Sequence, residues 1–380
     1  CNSKCYYCDF CSFVENEKNI KKYFVALKNE IIQKKLKGKV KSIYFGGGTP
    51  SSVDEKYVIN ILNLIFKNFN VDKDAEITIE VNPNSLNKDK IQSYYNAGFN
   101  RLSMGVQTTN CKSLKYIGRI TNAKILKNYK KNIKKLLKNA KKIGFNNIST
   151  DIILGLPFNN KKFLIKDLKF LTRYCNHIST YMLMIEEGTK LFTYNLNVEN
   201  IDEMSSKQYE IVCQFLKNKN FERYEVSNFA KNQTFSKHNL NYWDRGEYLG
   251  FGLSAHSFLN PFRFYNTNNF EQYLKNFSKI ELATCKKETK QILSEVKKFD
   301  TSVEKLNKKE AVEEKLMLSL RCARGVNLCE FNKNFYDIFK RKEKEINFLI
   351  QSDLIKIEDG FLRLTDKGFL VANQIILKLL

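Results

Sequence analysis

"KSIYFGGGTP", residues 41–50, is a short β-rich run that ends in three glycines. β-Branched and aromatic residues closed off by glycine read as a strand with a turn at its C-terminal end. Ser51, Ser52 and Asp54 offer N-caps for a helix through about 69, whose apolar stripe is Val58, Ile61, Leu62, Ile65 and Phe69. A helix over about 14–37 precedes the run, with Phe24, Leu27, Ile31 and Ile32 at helical spacing. The alternation continues downstream. Strands are expected over "AEITIEVNP" (75–83), "RLSMGVQ" (101–107), "NISTDIILGLP" (147–157) and "HISTYMLMI" (177–185), with a sixth over "RYEVSNFA" (223–230). Helical sequence lies between, including a Lys- and Leu-rich stretch over about 122–143 that reads as an exposed helix with a solvated face.

Strand–helix alternation at this period means βαβ units and a parallel sheet. Gly46–Thr49, Glu80–Asn82, Gln107 and Asp151 all fall at or near the C-terminal ends of expected strands. In a (β/α) barrel that end carries the active site. The expected fold is α/β, a partial (β/α)6 TIM-type barrel over residues 1–283. A further barrel strand is expected upstream of residue 1, since the chain opens in mid-motif without an initiator Met. Residues 284–312, rich in Lys and Glu, read as a charged linker or insertion. From 313 come helices at about 313–323, 328–334 and 341–351, then "LIKIEDGFLRLTDKGFLVANQIILKLL" (354–380), a strand, an Asp-Gly turn, a strand and a helix. That order predicts a mostly helical, winged-helix-like C-terminal domain over 313–380. Such modules bind DNA or pack on their own chain, and its second helix offers no set of base-reading side chains.

The 380 residues, 43% hydrophobic and 27% charged, suit a globular protein with a sizeable core. With no apolar run of about 18 residues, no membrane span is indicated, and the cytoplasm is the default expectation. Sequence upstream of residue 1 would decide any organelle targeting. Lys and Arg exceed Asp and Glu by 24. Composition drift accounts for this, because Lys, Asn, Ile and Phe are abundant throughout and Pro numbers only 4. A functional basic field that draws an anionic cofactor or a membrane surface is the alternative. Salt-sensitive membrane association would distinguish the two. Of ten cysteines, Cys111, Cys175, Cys213, Cys285, Cys322 and Cys329 are scattered at unrelated spacings, as in a reducing compartment.

The other four stand in "CNSKCYYCDFCSF" (1–13), as Cys1-x3-Cys5-x2-Cys8 with Cys11 after two more residues. Four thiolates could hold zinc, but structural zinc sites usually draw two CxxC pairs from separate turns. The favoured reading is a [4Fe–4S] cluster held by Cys1, Cys5 and Cys8, with one iron left open for a substrate or cofactor. Gly47 and Gly48 would let backbone approach a ligand closely, with Thr49 beside them. Glu80 and Gln107 point from the next strand ends, Arg119 in "YIGRI" could meet a carboxylate, and Asp151 could accept from ribose hydroxyls. Each residue alone reads as a cap or a surface group; on one rim they make a cofactor shell.

The CxxxCxxC spacing resembles the signature of the radical SAM superfamily. There the open iron binds S-adenosylmethionine (SAM), and one electron cleaves it to a 5′-deoxyadenosyl radical. "CNSKCYYCDF", "YFGGGTPS", "EVNPNSL", "RLSMGVQT", "YIGRITNA", "DIILGLP", "HNLNYW", "YLGFGLSAHSF" and "GFLRLTDKGFLVANQII" follow in order. Across nearly the whole chain they resemble the oxygen-independent coproporphyrinogen oxidase-like family. The resemblance implies Gly48, Thr49, Glu80, Gln107, Arg119 and Asp151 as SAM contacts, and Cys1, Cys5 and Cys8 as cluster ligands.

The family has two branches. Oxidases, which decarboxylate porphyrinogen propionates, carry Cys-x-Cys at the end of the cluster loop; the haem-chaperone (HemW) branch carries Cys-x-Phe. This chain has Cys8-Asp9-Phe10, and Cys11 departs from both patterns. In the chaperone branch HNxxYW is associated with haem, which implies His238, Tyr242 and Trp243 here. His is a common axial ligand, and aromatic rings can pack on a macrocycle. Without the family, His238 reads as a strand-end histidine beside aromatic core residues. His256 is a second candidate ligand, and His177 reads as structural. The expected partners are haem and acceptor haemoproteins. Pairing of two copies through the cluster loop stays open.

Overall fold

The structure, a computed structural model, describes residues 1–278, 288, 291 and 303–380. Helix α1 (Glu17–Gln33) is capped by the Asn16 side chain. It leads to β1 (Lys39–Phe45), then to α2 (Glu55–Asn68), capped by Asp54, and β2 (Asn70–Val81). Next come α3 (Lys88–Asn96), β3 (Arg101–Gln107), α4 (Cys111–Tyr116), α5 (Ala123–Ile143), β4 (Asn147–Leu154), α6 (Lys161–Leu171) and β5 (His177–Met182). Strands β1 to β5 pair in chain order, all parallel. The sheet curls into a half-barrel, the partial TIM-type barrel expected.

The sixth strand is a correction. After α7 (Val198–Lys217), the stretch over 223–230 forms two short strands, β6 (Glu222–Arg223) and β7 (Asn228–Ala230). β7 runs antiparallel to β5, and β6 antiparallel to β7. The physical reason lies in Glu225. Its carboxylate accepts the Ser227 N–H at 3.0 Å, a local bond that turns the chain back on itself.

Helices cover the sheet as their stripes predict. α5 buries Tyr129, Ile133, Leu136, Leu137 and Ala140 and leaves its lysines in water, so the basic run is a solvated face. Beyond the sheet, α8 (Lys237–Trp243) carries the HNxxYW residues on a helix rather than at a strand end. A three-stranded sheet follows, of β8 (His256–Leu259), β9 (Phe262–Tyr265) and β10 (Val303–Lys305), with α9 (Phe270–Asn276) between β9 and β10.

The expected linker over 284–312 falls largely outside the described residues; its end forms β10 and the start of helix Lys308–Leu320. Helices Leu328–Asn334 and Ile338–Gln351 follow, and strands Ile355–Glu358 and Phe361–Leu364 form a hairpin joined by Val326–Asn327. A separate apolar core, with Leu316, Leu320, Ile346, Leu362 and Ile375, holds this part together. It meets the half-barrel at the β6–β7 turn, where Val226 donates to the Arg321 carbonyl at 2.9 Å and Ala323 to that of Tyr224 at 3.0 Å. Among the described residues no helix is long and apolar enough to cross a membrane.

Candidate functional site

The C-terminal strand ends and the opening loop share one rim. Two aromatic residues between Cys5 and Cys8 fasten the loop. Tyr6 donates its N–H to the Ile117 carbonyl at 2.9 Å and accepts from Leu191 at 2.7 Å, while its ring meets Tyr194 edge-on. Tyr6 and Tyr7 pack on an apolar cluster of Ile117, Ile153, Leu156, Leu183 and Leu191. The cysteine side chains stay half-buried and unbridged. Cys1 Sγ lies 3.3 Å from Thr49 Oγ1, and Cys5 Sγ accepts from Arg119 Nη1 at 3.6 Å. Cys11 turns elsewhere, toward the Asn268 carbonyl at 3.7 Å, and burial pushes its thiol pKa up. Among the described residues no group of three or more His, Cys, Asp or Glu is placed to hold a metal ion.

The glycine run closes over Glu80. Gly47 has φ +92°, a region where a side chain is strained. A Cβ on Gly46 would meet the Tyr44 ring at 2.6 Å and the Glu80 carboxyl at 2.8 Å. Glu80 accepts from Tyr44 Oη at 2.7 Å and from Gly47 N–H at 3.3 Å. Burial, with Asp151 nearby, lifts its pKa to about 7. Burial likewise lifts Asp151 to about 6, against hydrogen bonds from Ser179 and Ser103. Gln107 sits at a register shift between β3 and β4 with φ +70°. Arg119 donates Nη2 to the Gly105 carbonyl at 2.7 Å, and its buried Nε has no hydrogen-bond partner among the described residues. It faces the Cys5 thiol and the Gly105 carbonyl. Gly48 and Thr49 lie against Cys1, Arg119 meets Cys5, and Gly47 meets Glu80, while Gln107 ends β3 and Asp151 lies deeper, within β4 beside Ser103. An open backbone cradle, an orphaned buried guanidinium nitrogen and three unbridged thiols fit a cluster with a small zwitterion beside it.

A second group lies behind the first. Buried Glu76 on β2 caps α8: it accepts from Ser236 Oγ at 3.2 Å, Lys237 N–H at 3.0 Å and His238 N–H at 3.1 Å. Arg101 Nε stands 4.0 Å from the same carboxylate. The cap sets His238 against β1. Its Nδ1 lies 3.0 Å from Ser42 Oγ, its Nε2 lies 2.9 Å from Tyr242 Oη, and its ring stacks on Tyr44 with centroids 4.7 Å apart. Burial, then the charge of Arg101, lowers the His238 pKa to about 4. Tyr242 is 39% exposed and Trp243 half-buried. His256 is exposed and stacks on Tyr265, and His177 is buried between Ser149 and Tyr224. Ser42, Tyr44, Glu76 and Arg101 are additions that the sequence reading missed. Ser42 and Tyr44 were within reach, because side chains two apart share a strand face that ends at Gly46.

The pattern of the Radical SAM superfamily matches residues 1–171, and that of the HemN C-terminal domain matches 306–371. The chain is 31% identical over 386 residues to "Heme chaperone HemW" of Lactococcus lactis, with 100% of this chain and 95% of that protein covered. The chain belongs to the radical SAM HemN-like family. Membership implies a [4Fe–4S] cluster and SAM. A Bacillus subtilis family member, also named heme chaperone HemW, is 30% identical over 389 residues, covering 99% of this chain and 95% of its own. The solved structure of coproporphyrinogen III oxidase (HemN) from Escherichia coli superposes with a TM-score of 0.80 at 21% identity, over 100% of this chain and 87% of that one. That likeness gives the HemN-like family fold, with the half-barrel and the mixed C-terminal part in the same arrangement.

Proposed function

We propose that this chain is a haem chaperone, holding a [4Fe–4S] cluster on Cys1, Cys5 and Cys8 and SAM on Gly47, Gly48, Thr49, Glu80, Gln107, Arg119 and Asp151. Haem is held by His238 beside Tyr242 and Trp243 and passed to acceptor haemoproteins. The radical SAM unit comprises 1–283, and the C-terminal domain starts with helix Lys308–Leu320, a few residues before the expected 313. When bound, the cluster and SAM supply one-electron chemistry at the rim. The protein's own part is to orient. Arg119 sets a positive charge beside the Cys5 thiol, and Glu80 offers a carboxylate to a ligand ammonium.

The observation that carries haem binding is the setting of His238. An iron-ligating imidazole needs a free lone pair on one nitrogen and a partner that orients the other. Ser42 orients Nδ1, and Tyr44 stacks under the ring. With its pKa near 4, the ring is neutral at physiological pH. Among the described residues, Nε2 is hydrogen-bonded to the hydroxyl of Tyr242, a surface side chain. Displacing it costs about 1 kcal/mol, the worth of one hydrogen bond. His256 has no such orienting partner among the described residues.

The test is anaerobic. Cluster-loaded protein with SAM is offered haem and coproporphyrinogen III in parallel. Stoichiometric haem binding without decarboxylation is expected. Turnover to protoporphyrinogen would replace this reading with the oxidase, whose Cys-x-Cys the chain lacks at Phe10.

A further inference from the structure

Tyr44 touches both halves of the site. Its hydroxyl donates to Glu80 Oε1 at 2.7 Å, and the other oxygen of that carboxylate accepts Gly47 N–H at 3.3 Å. Its ring lies nearly parallel to the His238 imidazole, at 19°. Ser42, two residues earlier on the same strand face, holds the same imidazole at Nδ1. Gly46 leaves the Tyr44–Glu80 pair no slack, since even a methyl group there would collide with both. One side chain of β1 is therefore packed against the glycine cradle at one end and against the candidate iron ligand along its face.

We propose that Tyr44 is a positioning residue that couples occupancy of the Gly47–Glu80 cradle by SAM to binding of a metalloporphyrin at His238. The inference rests on the function proposed above and adds the regulation of that site. The route is physical. A ligand ammonium beside Glu80 favours its charged form, and a charged acceptor strengthens the hydrogen bond from Tyr44. A firmly held Tyr44 ring in turn holds the imidazole, so porphyrin binding has less motion left to freeze. Coupling of this kind is positive, and it is reciprocal by thermodynamic necessity.

The experiment titrates the cluster-loaded protein with haem in the presence and absence of SAM, and with SAM in the presence and absence of haem. SAM should tighten haem binding about fivefold, and haem should tighten SAM binding by the same factor. Tyr44→Phe keeps the ring and removes only the hydroxyl, and it should bring both factors close to one. A wild-type factor of one, or a factor that survives in Tyr44→Phe, overturns the proposal. A haem-free arm separates this failure from failure of the chaperone reading. His238→Ala should weaken SAM binding by about twofold in the wild-type background and leave it unchanged in the Tyr44→Phe background. If the wild type binds no haem at all, the chaperone reading falls, and this double-mutant cycle alone decides whether Tyr44 couples the two places. An effect of His238→Ala that is equal in both backgrounds, or absent from both, overturns the coupling.

Discussion

The loop of residues 1–16 and helix Lys237–Trp243 differ in what their chemistry-bearing atoms touch. In the loop the backbone and the tyrosines between the cysteines carry the fastening, and the thiols are left to a neighbouring hydroxyl and a guanidinium. In the helix the fastening is a buried carboxylate from another strand, and the imidazole is occupied at both nitrogens. A segment that takes a large inorganic group keeps its donors uncommitted. The helix holds its imidazole between fixed partners, with a surface tyrosine on one nitrogen.

The sharpest break between the two comes from Cys5→Ala. Iron and acid-labile sulfide per chain should fall to background while haem affinity, measured without SAM in both proteins, stays within about twofold of wild type. Loss of both together would mean that the loop and the helix are not independent. Next in size is Glu76→Ala. It removes three hydrogen bonds from the start of the helix and a carboxylate 4.0 Å from Arg101 Nε, so urea unfolding should show a loss of about 2–3 kcal/mol. A loss under 1 kcal/mol would show that the carboxylate does not hold the helix. His238→Ala should weaken haem binding with cluster content unchanged, and Ser42→Ala should weaken it by about tenfold through the orienting bond alone. Equal haem affinity in wild type and His238→Ala would remove His238 as the ligand.

The smallest effect is one of slope. Glu80 titrates near 7 in the folded protein against an ordinary 4.5, so the folded state binds more protons between those values. Its contribution to stability therefore declines as pH rises through that window. His238 titrates near 4 against an ordinary 6.5, so the folded state binds fewer protons there, and its contribution is lost as pH falls from 6.5 toward 4. Relative to wild type, Glu80→Gln should gain about 1–2 kcal/mol between pH 5 and pH 8, a figure reduced for partial solvation of the carboxyl. His238→Gln should instead gain as pH falls from 6.5 to 4.5. Parallel slopes in the two variants would show that these two environments are not opposed.

Much of this was readable before the structure. The parallel strands declared themselves because each buried run is closed by a turn residue, and α5 declared its inner face by spacing. That Gly47, Glu80 and Gln107 lie at C-terminal strand ends followed from strand direction, whereas Asp151 lies within β4. What stayed hidden depends on contacts that no local pattern records. Glu225 turns the chain inside a run that alternates like a strand, so β6 and β7 looked like one element. His238 was read as a strand-end residue because its helix has seven residues and is capped by a carboxylate about 160 positions upstream. Tyr44 and Ser42 looked like ordinary strand residues, since only the fold shows what crosses their face.

That long-range cap also sets an order of events in the life of the chain. A seven-residue helix does not persist in water without outside support, because nucleation is costly. Here the support is Glu76, which is buried only once β2 has neighbours on both sides. Closing so long a loop comes late, after the local pairings have formed. The strands that set the histidine all precede residue 237, so its setting waits on folding of the half-barrel and not on synthesis of further chain. The imidazole is set in place by completion of the sheet, and its orientation is a property of the folded half-barrel rather than of the helix that carries it.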